Sequence, residues 1–173
     1  MDIGEVLMKE HSRAQRDVIV DYIGNSKSRY KALWQIIKNG DPPLPQRGAW
    51  ALDETTLRYP ELFDDILDEA VAFLPGKNHD AVHRAITKIL GLRNNIPEKH
   101  QGILFSLAID WMLSPAKPVA VKVHCMSIAC TIALPIPELR EELALVIKDQ
   151  MELNTVGFSS RGNKILKKLS VAR

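Results

Sequence analysis

Two histidines, His79 and His83, stand four residues apart with Asp80 between them, a spacing that on a helix lets both imidazoles reach one ion. A zinc site normally needs a third protein ligand, and none stands near in sequence; no Glu follows His79, as the metalloprotease motif requires. The pair is therefore expected to be two partly exposed helix residues, with no metal. The thiols of Cys125 and Cys130 sit in an apolar run. On a helix they point about 140° apart, which suits neither a bridge nor a shared ion, so both read as buried free thiols of a reducing compartment. No glycine-rich phosphate loop, nucleophile elbow or pair of catalytic acids stands in the chain. The stronger pattern is charge. Between Pro60 and Leu74 lie Glu61, Asp64, Asp65, Asp68 and Glu69 without one base. Between Pro137 and Glu152, five acids (Glu138, Glu141, Glu142, Asp149, Glu152) face only Arg140 and Lys148. The opposite sign gathers at Arg84, Lys88 and Arg93 and again at Arg161, Lys164, Lys167 and Lys168. Such residues bind by charge rather than break bonds, so a non-enzymatic role without a cofactor is expected.

Composition agrees. The chain has 173 residues, 46% hydrophobic and 25% charged, with 23 basic and 21 acidic groups for a net charge of +2. That is the balance of a globular protein, large enough to bury about 70% of its unfolded surface without disulfide staples. It gives no general affinity for polyanions. The first residues, Met1 to Glu5, are acidic and carry no apolar export segment. The longest apolar stretch, Val123 to Ile136, is broken by His124 and Pro135 and is too short to span a bilayer. A cytoplasmic protein without a membrane partner is expected.

Internal repetition organises these charges. Three Pro-Glu pairs begin at Pro60, Pro97 and Pro137, about 37 and 40 residues apart, and each opens an apolar-periodic segment. A second periodic segment starts thirteen or fourteen residues before each, at Arg47, Arg84 and Val123. The expected helices are nine: 10–23, 26–38, 46–58, 60–74, 79–92, 97–113, 119–134, 137–152 and 158–170. Breakers fall between them, as in Asn39 to Pro43, Pro75 to Asn78, Ser114 to Pro118 and Asn154 to Gly157. Val119, Val121 and Val123 alternate like a strand, but the repeat register makes this stretch helical. One domain is expected, with units at about 10–38, 46–74, 79–113 and 119–152 and a lone terminal helix 158–170 that packs on one neighbour. Leu67, Leu104, Ile128 and Leu143 hold matching register positions and are expected in one core, as are Trp34, Trp50 and Trp111.

Paired helices at this period, with Arg47, Ala49, Ala51-Leu52, Pro60-Glu61-Leu62 and Ile66-Leu67 as the best-matching residues, resemble the HEAT-like (armadillo-type) repeat family. The aspartate common between the helices of a HEAT pair is missing and the spacing drifts. The resemblance implies an all-α fold, a right-handed superhelix of about four and a half helix pairs whose second helices line the concave face. The register aligns Asp64 with Gln101 and Glu141, and Asp65 with Gly102 and Glu142. The expected function is an interaction scaffold that presents an acidic strip (Asp64, Asp65, Asp68, Gln101, Glu141, Glu142, Asp149) to a basic protein or peptide. The alternative is nucleic-acid binding through Arg161, Lys164 and Lys168, by a protein resembling the HEAT-like alkylpurine DNA glycosylases. More remotely, Gly157 to Lys164 is similar to the Gly-Ser-Ser loop of the adenylosuccinate lyase superfamily, although the lysine stands one position early.

Overall fold

The structure, a computed structural model, describes residues 1–172. Among them are ten α-helices, one 3-10 helix and no strand. The chain falls into two compact units, Met1–Ile89 and Leu90–Arg173.

Unit 1 begins with α1 (Ile3–Lys9), which no expected helix covered. Its signal is a short cap: the Asp2 carboxylate accepts the Glu5 backbone N–H at 3.0 Å. The far end is held by Arg47, which donates to the Leu7 and Met8 carbonyls at 2.8 and 3.1 Å. Helix α2 (Arg13–Ile23) starts on the Ser12 cap and stops at Gly24, whose φ of +50° suits only a residue without Cβ. Helix α3 (Lys27–Asn39) starts on Ser26, and α4 (Leu44–Arg58) carries Pro45 in its first turn. Tyr30, Leu33, Trp34, Ile37, Leu52, Leu62 and Phe63 fill the core between α3, α4 and the segment that Pro60 opens. There the Thr56 hydroxyl donates to the Leu52 carbonyl, so the buried Tyr30 hydroxyl is the donor to Thr56 at 2.5 Å.

The expected helix 60–74 is interrupted. Pro60–Asp65 form a 3-10 helix, Ile66 turns out of it, and α5 is only Leu67–Phe73. One continuous α-helix would have set Glu61, Asp64, Asp65, Asp68 and Glu69 as like-charge neighbours at i+3 and i+4, which destabilises helices. The break separates the first three from the last two. Helix α6 (Asp80–Gly91) comes next, and the boundary between the units lies in its last turn.

Unit 2 is a pair of neighbouring helices with a third and fourth packed on them: α7 (Glu98–Leu113), α8 (Val119–Ala133), α9 (Pro137–Met151) and α10 (Val156–Val171). Pro97 and Pro137 stand at the starts of α7 and α9, where a missing N–H costs nothing. Helix α8 packs against α7, α9 and α10, so it is apolar nearly all round, and tertiary burial overrides its local strand-like valines. Helix α10 differs from its expected isolation, because it packs on both α8 and α9. Gly162 permits the approach to α9: a Cβ there would lie 2.9 Å from Ile147 Cγ2.

Leu104, Ile128 and Leu143 are buried in unit 2 and Leu67 in unit 1. Trp34 and Trp111 are buried as expected; Trp50 is not. It is half-buried on a cleft of about 270 Å³, with the Arg16 guanidinium 4.7 Å over its ring and His11 edge-on at 5.5 Å. The apolar stripe that marked it for the core also carries amphipathic rings, which tolerate a wet edge.

Candidate functional site

The acids of unit 1 are answered from within the unit. Asp65 is half-buried at the end of the 3-10 helix and ion-paired with Lys27 at 3.1 Å and Lys31 at 3.6 Å, both on α3. The Lys27 hydrogen bond holds its carboxyl below the usual range, against a smaller opposing effect of burial. Glu69 takes Lys38 Nζ at 2.6 Å and the Trp34 indole N–H at 3.1 Å, and its carboxyl is lowered for the same reason. Asp64 and Asp68 are exposed on the 3-10 helix and α5. The basic set is also partly engaged, since Lys88 donates to Asp53 at 2.7 Å.

In unit 2 the charges are arranged differently. Positions 98, 101, 102, 105 and 109 of α7 follow one helical stripe, and with the end of α8 and the start of α9 they enclose a groove of about 490 Å³. Its floor is Phe105, Ile109, Ile132, Ile136 and Leu139, and its rim carries Glu98, Asp110 and Glu142. Among the described residues, no basic one lines it. Gln101 belongs to this wall, its amide N–H₂ donating to the Ile96 carbonyl at 2.8 Å. Gly102 lines the groove with nothing within 4 Å of where a Cβ would stand.

The structure thus brings Gln101 and Glu142 together and sends Glu141 elsewhere. Consecutive helix residues point about 100° apart, and Glu141 lines a second groove, between α9 and α10, beside Arg140, Lys148 and Lys167. Asp149 stays on the outer face of α9, where Glu138, Glu142, Leu145, Asp149 and Glu152 recur at steps of four and three. In the middle of these acids Leu145 is 68% exposed.

Other sequence candidates resolve as structure. His83 is 3% exposed rather than partly exposed, and His79 caps α6 by accepting the Ala81 backbone N–H on Nδ1 at 3.1 Å. No group of three or more metal-binding side chains occurs among the described residues. Cys125 and Cys130 are buried free thiols, and burial pushes Cys125 up to about 12 and Cys130 in the same direction. Gly157 to Lys164 form the first half of α10 and not a loop, which removes the feature behind the lyase likeness. Arg161, Lys164, Lys167 and Lys168 are exposed on that helix.

Sequence reasoning named two groove residues and missed the floor. The stripe of α7 was readable from its 3.6-residue period, but Ile132, Ile136 and Leu139 join it only through the α8–α9 turn. No helix is long and apolar enough to cross a membrane among the described residues. Comparison with curated proteins and with solved structures finds no match. The consecutive packing of short helices, the Pro-opened second helices and the repeat period agree with one finding that spans nearly everything described above: a family model for the HEAT repeat domain matches residues 3–169, and the chain belongs to that family.

Proposed function

We propose that this chain is a protein-interaction scaffold whose α7–α9 groove docks a basic, amphipathic helical segment of a partner. The observation that carries this is the combination of an apolar floor with three carboxylates and, among the described residues, no base at the rim. The α7 stripe from Glu98 to Ile109 rises about 16 Å, or roughly three turns of a guest helix. A guest with apolar side chains at i, i+3 or i+4 and i+7 fills the floor, and Lys or Arg beside them meets Glu98, Asp110 and Glu142. Exposed rim pairs contribute about 0–1 kcal/mol each. They select the sign of the partner and speed its encounter, while burial of Ile136 and Leu139 supplies affinity. Gln101 and Glu142 are the expected docking residues that this reading keeps, while Asp149, on the outer face of α9, lies outside the groove. Asp64, Asp65 and Asp68 belong to unit 1, where Asp65 already has two lysines. A phosphate backbone is a poor occupant of this groove, since every charge on its rim repels it.

The test is selection from a displayed library of helical peptides, with Glu98→Lys/Glu142→Lys as the counter-target. Both positions are exposed, so the variant keeps its fold. Enriched peptides are expected to combine Lys or Arg with apolar residues at helical spacing and to lose binding to the variant. Enrichment of acidic peptides, or equal binding to both targets, overturns the reading.

A further inference from the structure

Helix α10 carries four cations and no acid between Val156 and Val171. At 100° per residue, Lys167, Lys164, Lys168 and Arg161 fall within an arc of about 120°. The buried residues Phe158, Gly162, Ile165 and Leu169 occupy the other side, against α8 and α9. All four cations are exposed, and none takes part in an ion pair among the described residues, whereas Lys27, Lys31, Lys38, Arg58 and Lys88 of unit 1 each meet a carboxylate. Like charges at i+3 and i+4 work against a helix, so this concentration is a cost to folding. The field continues across the neighbouring groove of about 690 Å³, where Arg140 and Lys148 join Lys167 and Glu141 is the one acid among the described residues.

We propose that this outer face of α10 binds the phosphate backbone of double-stranded nucleic acid without reading its sequence. Apart from the terminal Val171, the basic arc holds small or polar residues, Gly157 and Ser160 among them, so it offers a protein partner no apolar anchor. The apolar side of the helix is buried against α8 and α9, and the exposed apolar residues left on it, Val156 and Val171, stand singly at its two ends, too few to hold it in a bilayer. Affinity must then come from charge alone, by counterion release. Arg161 to Lys168 rise about 10 Å, the axial span of about three phosphates on one strand at roughly 3.4 Å each. This surface is distinct from the α7–α9 groove and carries the opposite charge, so the two readings stand or fall separately.

The test is fluorescence anisotropy of the full chain with a labelled duplex of about 20 base pairs, titrated from about 25 to about 200 mM salt. The expected result is micromolar binding at the low end, with log affinity falling against log salt at a slope of about −3 to −4, for three or four neutralised phosphates. Arg161→Gln/Lys164→Gln/Lys168→Gln, which keeps good helix formers, is expected to lower affinity at least tenfold and to flatten the slope to about −1. Glu98→Lys/Glu142→Lys should leave the slope unchanged. Vesicles containing phosphatidylserine and a poly-glutamate peptide serve as competing anions. No binding at low salt, binding that the triple variant retains, or displacement by either competitor as effective as that by unlabelled duplex at equal charge overturns the proposal.

Discussion

Two glycines of unit 2 should respond to the same substitution with opposite sign. Gly102 is the fifth residue of α7, exposed, with no atom near the position of a Cβ because it opens on the groove. Alanine there loses less backbone entropy on folding and adds no contact, so Gly102→Ala should stabilise by about 0.5–1 kcal/mol. Gly162 has the same helical backbone and gains the same propensity, but its new methyl meets Ile147 Cγ2 at 2.9 Å and Met151 at 3.5 Å. The Ile147 methyl is attached at Cβ and cannot swing aside without leaving its rotamer. Such overpacking costs about 1–3 kcal/mol, so Gly162→Ala should be net destabilising by up to about 2 kcal/mol. Urea denaturation followed by far-ultraviolet circular dichroism reads both. The midpoint should rise for Gly102→Ala and fall for Gly162→Ala at unchanged slope. A rise for both would refute the close α9–α10 approach, and a fall for both would refute the open groove at Gly102.

Three further outcomes rest on burial and charge. Leu104 is 2% exposed in the α7 core face, and Leu104→Ala should lower stability by about 2–5 kcal/mol in the same denaturation assay. Both thiols should resist iodoacetamide near pH 8 in the native chain and react fully in denaturant, because burial disfavours the thiolate, with Cys125 pushed up to about 12. The lowered carboxyl of Asp65 contributes stability that is fully present above the unfolded value of about 4 and is lost as pH falls through the folded value. Thermal unfolding of wild type should therefore decline more steeply on acidification than that of Asp65→Asn, and parallel curves would mean that the Lys27–Asp65 pair adds nothing to stability.

Helix limits were largely readable because Pro, Gly and capping side chains mark them locally. Helix α10, expected at 158–170 and found at Val156–Val171, shows how well a 3.6-residue stripe between breakers performs. What was not readable depended on partners distant in sequence. The break at Ile66 leaves Asp65 paired with Lys27 and Lys31 of α3, partners that the apolar stripe of 60–74 does not show. Glu141 and Glu142 looked equivalent in the repeat register, yet the packing of α9 between α7 and α10 turns one toward each groove. Trp50 followed the stripe of α4, but it stays half-buried with Arg16 and His11 against its ring. Helix α1 was signalled by Asp2 and Glu5 but is too short to show a period.

The docking of a basic helix between α7 and α9 is tested most directly by amide NMR of the isotopically labelled chain, titrated with a synthetic helical peptide bearing Lys on one face and Leu on the other. Shift changes should centre on Gln101, Gly102, Ser106, Ile109 and Glu142 and vanish when the peptide lysines become Glu. Changes centred on unit 1 or on the outer face of α10, or equal changes with the acidic peptide, would contradict docking in this groove.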